Sequence, residues 1–115
     1  MALPAAGGYG WRMDFIDVPG ASGAAYRFRS ADLNQLPPTA GNLVVVAGPP
    51  ARRRYVACGA ARSLNEAAPA VKAVLADCKG ARLFVRLNVA RTIREAEHAD
   101  IAAAVQPEAD LPDLD

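Results

Sequence analysis

Apolar and polar residues alternate twice near the amino terminus. Trp11, Met13 and Phe15 are separated by Arg12 and Asp14, and Tyr26 and Phe28 by Arg27, with Arg29 after them. A period of two marks a half-exposed strand. The turn formers Pro19-Gly20-Ala21-Ser22-Gly23 between the two runs predict a hairpin. Residues 30–41, with Pro37-Pro38, read as a loop. Leu43-Val44-Val45-Val46 is a continuous aliphatic run, the pattern of a strand covered on both faces. Gly48-Pro49-Pro50 turns the chain, and Arg53 to Cys58 predicts the return strand of a second hairpin.

The period then changes. Ser63-Leu-Asn-Glu66 has the form of a capping box and predicts a helix start. Pro69 must kink that helix or restart it, because it lacks an amide hydrogen and crowds the preceding turn. Val71, Val74, Leu75 and Cys78 stand at i, i+3, i+4 and i+7, one apolar stripe, and Gly80 supplies a stop. Leu83, Val85, Leu87 and Val89 alternate with Arg82, Phe84, Arg86 and Asn88, a further strand. Thr92-Ile-Arg-Glu95 repeats the capping-box form. Ile93, Ala96, Ile101, Ala104 and Val105 then mark the buried side of a second helix, which Pro107 ends.

These elements predict an α/β (α+β) fold: a small mixed β-sheet flanked by two helices, with an extra amino-terminal β-hairpin. One domain spans residues 1–115, divided into hairpin and loop (1–40), body (41–107) and acidic tail (108–115).

Composition narrows the picture. A chain of 115 residues can bury one hydrophobic core. Three Phe, three Tyr and one Trp supply its large apolar surface, so the core is thin. No run approaches the ~20 apolar residues of a membrane span. Met1 to Gly10 has no basic residue ahead of an apolar stretch, unlike a signal peptide, so a cytoplasmic location is expected. Cys58 and Cys78 are too few for a disulfide framework, lack metal-ligand spacing, and read as reduced buried thiols.

Charge is distributed unevenly. From Arg27 to Arg94 there are twelve Lys or Arg and three acids; from Glu95 to Asp115 there are seven acids and no Lys or Arg. Such a split fits a surface that faces a polyanion, or two ends of one molecule that neutralise each other. Arg52-Arg53-Arg54 beside Tyr55 is the most basic stretch, and Arg82 and Arg86 project from one face of the following strand. A basic sheet surface with aromatic rings can track phosphates and stack bases. A triple-arginine flank also keeps a strand edge soluble.

Catalytic groups are sparse. His98 is the sole histidine, and Cys58 could pair with it only if the fold joins them. Glu95, Glu97, His98 and Asp100 cluster on one helix, where Glu97 and Asp100 at i and i+3 could share one Mg²⁺ or could form a solvated face. Gly7-Gly8-Tyr9-Gly10 does not stand between a strand and a helix and is no phosphate loop.

From Gly41 to Asp110 the order of segments resembles the GIY-YIG endonuclease domain, and in particular small bacterial proteins of that kind. Gly41-Asn-Leu-Val-Val-Val46 looks like the first strand, and Ala57-Cys58-Gly59 stands where the second triplet falls, with Leu64 at the spacing of the leucine after it. Arg86-Leu-Asn-Val89 through Gln106-Pro107 looks like the third strand and the glutamate helix. The resemblance implies a nuclease scaffold in which a tyrosine activates water, an arginine steadies the phosphate and a glutamate binds Mg²⁺.

The departures fall on those very groups. Val44 or Val45 replaces the first tyrosine; Ala57 replaces the second, with Tyr55 two residues earlier on the same strand face. Ala67 stands for the arginine, His98 for the metal-binding glutamate with Glu97 one residue away, and Asp110 for the asparagine after Pro107. Alanine and valine supply neither a base nor a ligand. The expectation is a non-catalytic binding or assembly module without a cofactor, taking nucleic acid or a protein partner, with Arg52, Arg53, Arg54, Arg82 and Arg86 as polyanion contacts. A divergent Mg²⁺-dependent nuclease would have to use Tyr55, Arg62, Glu97 and His98, with Glu97 on the metal. A third reading is an accessory subunit of a large complex, docking through Trp11, Phe15 and the acidic tail.

Overall fold

The computed structural model describes residues 15–111. Its strands are β1 (Phe15–Pro19), β2 (Ala25–Ser30), β3 (Gly41–Ala47), β4 (Arg54–Ala61), β5 (Arg82–Leu87) and β6 (Ala109–Asp110); its helices are α1 (Ala68–Asp77) and α2 (Arg91–Val105). The strands form one sheet in the order β1-β2-β5-β3-β4-β6. Neighbours run antiparallel except β6, which lies parallel to β4. The fold is therefore the mixed α+β arrangement that the periodicities predict, with the amino-terminal hairpin joined to the same sheet through β2 and β5. Trp11, Met13 and Asp14 lie outside the described residues.

All seven residues of β3 are buried because the sheet is covered on both sides. On one face Leu43, Val45, Leu83 and Val85 pack with Leu64 and Val71, and α1 adds Val74, Leu75 and Cys78, the stripe read from the sequence. On the other face Val44, Val46, Phe84, Phe28 and Ile16 pack with Ile101, and α2 adds Val105. Burial of apolar area on two faces is what holds so small a sheet together. No helix among the described residues is long and apolar enough to cross a membrane.

Four local expectations give way to packing. Ser63 does not cap α1: its hydroxyl bonds to Asn65 Oδ1, residues 64–67 make a 3₁₀ turn, and the helix restarts at Ala68 with Pro69 in its first turn. Proline is tolerated there because that amide has no helical acceptor. Nor does Thr92 cap α2, which begins at Arg91 behind Ala90, while Glu95 pairs with Arg91 at 2.8 Å. β5 ends at Leu87 and buries Leu83, Phe84 and Val85 consecutively, so Val89 lies outside it at 75% exposure. Residues 109–110, read as tail, add the sixth strand, and Leu111 packs against the α1-side core.

The largest correction concerns α2. Of the expected buried positions only Ile101 is fully buried and Val105 partly so; Ile93 is 54% exposed. The side facing the sheet carries Arg94, Glu97, His98, Ile101 and Val105, and Arg94 is 3% exposed. The spacing is helical, but half of the stripe is polar because the sheet beneath it is polar too.

Candidate functional site

Asn42 explains that polarity. It is a fully buried amide within the aliphatic strand β3, opposite Arg86 of β5. A buried amide is costly unless each polar atom finds a partner. Asn42 Nδ2 donates to the Arg94 carbonyl at 3.0 Å, and its Oδ1 accepts from Asn88 Nδ2 at 2.9 Å. Asn88 Nδ2 also donates to Glu97 Oε1 at 2.9 Å, and Arg86 Nε donates to the same oxygen at 2.9 Å. Arg94 turns its guanidinium back onto the end of β5, donating to the carbonyls of Asn88 at 3.2 Å and Val89 at 2.9 Å. No buried side-chain nitrogen or oxygen among the described residues lacks a partner.

The network continues to the hairpin. Arg86 lies over the Tyr26 ring at 5.4 Å, and the Tyr26 hydroxyl donates to Asp100 Oδ2 at 2.8 Å. Asp100 also accepts from the Ser22 amide at 2.8 Å and the Ser22 hydroxyl at 2.7 Å, and its carbonyl accepts from Ala21. The bonds from Ser22 and then Tyr26 hold the Asp100 carboxyl below its ordinary range. The bond to that carboxylate, with some burial, holds the Tyr26 phenol above its ordinary range.

These contacts decide whether the residues that a divergent nuclease would have to use can act together. Glu97 meets β5 at the level of Asn42, whereas Tyr55 pairs in register with Val46. Four residues separate those levels, roughly 13 Å along the strand. A bulge in β4 opposite Val45 and Val46 turns Val56 and Ala57 toward the α1-side core and Tyr55 toward the α2 side. Tyr55 and Ala57 therefore occupy opposite faces, contrary to the expectation of one shared face. Arg62 is exposed past the end of β4, 3.6 Å from Glu66. His98 is half-buried on the sheet side of α2, and Cys58 is buried on that side of the sheet.

The Mg²⁺ that the resemblance implies does not fit here. Glu97 Oε1 already accepts two hydrogen bonds, one of them from a guanidinium that would repel a cation. Glu95 points to Arg91 and Asp100 to Ser22. Among the described residues no three His, Cys, Asp or Glu side chains gather as a metal-binding group.

The five arginines serve different surroundings. Arg86 belongs to the network above. Arg54 is held by Glu108 through Nε at 2.6 Å and Nη2 at 2.9 Å, a bidentate pair that fastens β6 beside β4. That pair holds the Glu108 carboxyl low and the Arg54 guanidinium high. Arg52 is exposed in the 3₁₀ turn (Pro50–Arg52) between β3 and β4. Arg53 and Arg82 line a cleft of about 330 Å³ at the end of β3 and the start of β5. Ile16, Val46 and Phe84 form its apolar wall, and the Arg82 guanidinium lies 5.0 Å over the Phe84 ring.

No protein-family model matches this chain, and neither does any curated protein or solved structure compared with it. The site must be read from its own atoms. Asn42, Asn88 and Arg94 are the residues that sequence patterning overlooked, whereas Asp100, read there as a possible partner of Glu97 on Mg²⁺, is instead the acceptor for Ser22 and Tyr26. Two signals pointed to them: an amide inside an aliphatic run at Asn42, and a polar stripe with helical spacing at 94, 97 and 98.

Proposed function

We propose that this chain is a non-catalytic binding module on a degenerate GIY-YIG-like scaffold. Its cationic surface at the turn between β3 and β4 engages a polyanion, with nucleic acid as the partner. The succession of hairpin β3–β4, α1, β5 and α2 supports the scaffold reading. The observation that carries the non-catalytic reading is the state of Glu97, whose Oε1 is occupied by Arg86 and Asn88 roughly 13 Å along the strand from the level of Tyr55. Arg52, Arg53 and Arg82 bring positive charge to this surface, while Arg54 is paired with Glu108 and Arg86 with Glu97.

The test is oligonucleotide binding by fluorescence anisotropy across a salt series. Replacing Arg52 and Arg53 with alanine lowers affinity and flattens the salt slope by about one for each lost phosphate contact. Binding that is unchanged and insensitive to salt in that variant overturns the proposal. Mg²⁺- or Mn²⁺-stimulated nicking of plasmid DNA, lost in Glu97→Ala, would make the chain a divergent nuclease instead.

A protein partner is the second reading. Phe15 and Leu87, 58% and 49% exposed, line one shallow groove with Arg27 and Arg29. A partly exposed apolar pair beside cations suits a docking surface in a larger assembly. Elution of the native protein at high apparent mass, reduced by Phe15→Ser, tests it.

A further inference from the structure

The groove lined by Phe15, Arg27, Arg29 and Leu87 has a matching ligand in the chain itself. We infer that it receives Asp113-Leu114-Asp115 of a second copy, so that copies join head to tail. This rests on the reading of the groove as a docking surface and names its partner.

Alternation along the strands shapes the groove. Ile16, Val18 and Phe28 enter the α2-side core, so Phe15, Arg27 and Arg29 face the α1 side, where Val85 also lies. α1 leaves this corner of the sheet open, and Phe15 and Leu87 both stay exposed. β1 and β5 flank β2, so the two apolar walls stand roughly 10 Å apart. β2 and β5 pair only at Arg29–Val85 and Ser30–Phe84, which leaves Leu87 beyond their ladder. The groove holds about 210 Å³, less than the roughly 300–1,000 Å³ of small-molecule pockets. It suits one side chain of an extended segment.

Charge selects the segment. Arg29 is exposed, and Arg27 lies over the Phe15 ring at 5.8 Å, with Asp17 3.3 Å away in an exposed pair. Such a pair is worth little and can admit a second carboxylate. The two arginines stand two residues apart on β2, a repeat of roughly 7 Å. Asp113 and Asp115 have the same repeat when extended, and Leu114 between them supplies the apolar side chain.

Register places groove and segment at one level of the sheet, on opposite flanks. Phe15, Arg29, Val85, Leu43 and Gly59 are successive cross-strand partners. Asp110 pairs with Cys58, and Leu111 follows on the α1 side beside the same row. From β6 to β2 there are four strand spacings, roughly 19 Å, with α1 on the face between. Leu114, three residues past Leu111, reaches at most about 11 Å. The groove of the same copy is therefore out of reach. With the β6 edge of one copy beside the β1 edge of the next, the segment has only β1 to cross. Groove and segment are different surfaces, so the contact is heterologous and repeats from copy to copy.

Sedimentation velocity of the full chain tests this. Species larger than a dimer should grow as concentration rises toward about 1 mM, and high salt should reverse them. Phe15→Ser in the groove and Leu114→Ser in the segment should each weaken association about tenfold or more, with the melting temperature unchanged. Mixed together, the two variants retain one intact groove and one intact segment, and should form a one-to-one dimer and nothing larger. A synthetic peptide of residues 110–115 should shift the Val85 and Leu87 methyl signals of the wild type, and those of Arg29→Glu at least about tenfold more weakly. A monomer at every concentration, association unaffected by either serine variant, or no shift with the peptide overturns the inference. A purified monomer whose native form still elutes at high apparent mass, reduced by Phe15→Ser, keeps the docking surface with another partner and refutes the second copy. Association of purified copies through the groove, with no larger native assembly, does the reverse.

Discussion

Arg86 Nε donates to Glu97 Oε1 at 2.9 Å, an ion pair that joins β5 to the polar side of α2. Both side chains are largely withdrawn from water, 33% and 16% exposed. Removing one partner leaves the other charge poorly solvated, which costs more than the pair gains. Asn88, which shares the same oxygen, would lose an acceptor as well. Glu97→Ala should therefore destabilise the fold by about 2 kcal/mol. For a domain of this size that lowers the melting temperature by on the order of 10 °C. Glu97→Gln, whose amide oxygen can still accept, should lose clearly less. Thermal denaturation of the two variants checks the ordering; equal, negligible losses would mean that the clamp carries no stability.

Asp100 and Tyr26 make the hairpin's attachment to α2 depend on pH from both sides. The folded-state carboxyl is held below its ordinary range by Ser22 and Tyr26. Its contribution is thus complete above the ordinary carboxylate range and is lost as pH falls through the lowered value. The phenol is held above its ordinary range chiefly by Asp100. Its contribution is complete below the ordinary phenol range and is lost as pH rises through the raised value. Urea denaturation across pH should give a stability gap between wild type and Asp100→Asn that is flat near neutrality and closes in acid. Tyr26→Phe should remove the alkaline loss and shrink the acid one to the part that comes from Ser22.

The legible parts of this fold are those driven by apolar burial. Leu43–Val46 announces a strand covered on both faces, and Val71, Val74, Leu75 and Cys78 announce the face of α1. The illegible parts are those where polar groups are buried against each other. Apolar periodicity assigns Ile93 to the core and says nothing of Arg94, yet packing exposes the first and buries the second, because the Arg94 guanidinium finds two carbonyls at the end of β5. Such a site depends on which strand ends meet which helix, a long-range fact that no local spacing encodes. The arginines were visible as a group, but their division into structural and cleft-lining members was not. That division follows from the reach of Glu97 and Glu108, which approach from distant parts of the chain.

Arg54 and Glu108 control β6 more than the rest of the fold. The two-residue strand is flanked by backbone bonds from the Glu108 amide to the Tyr55 carbonyl and from the Leu111 amide to the Cys58 carbonyl. The side-chain pair is exposed, so its removal should barely move the melting temperature. It should instead raise the local opening of this edge. In Glu108→Gln, hydrogen exchange at the Leu111 amide should accelerate severalfold while the amides of β3 keep their protection. The acceleration should be smaller in high salt, where the wild-type pair is already screened. Uniform acceleration across β3 and β6 would show instead that the pair supports the whole sheet.

Gly41 stands where β3 begins, between β4 and β5, and tests how closely the polar network is fitted. A Cβ built there would lie 2.5 Å from the Arg86 carbonyl oxygen and 3.0 Å from Leu64 Cδ1. The Leu64 methyl can rotate aside, but the carbonyl belongs to the backbone of β5. Gly41→Ala must therefore separate β3 from β5 at the residue that carries the Arg86 side chain, next to Asn42. Overpacking of this kind costs about 1–3 kcal/mol. Part of that cost should come through the Asn42–Asn88–Glu97 contacts, because a displaced β5 lengthens them. If so, Gly41→Ala and Glu97→Ala should be non-additive, with the double variant losing less than the sum of the single losses. Additive losses in urea denaturation would show that the close approach at Gly41 and the clamp at Glu97 act independently.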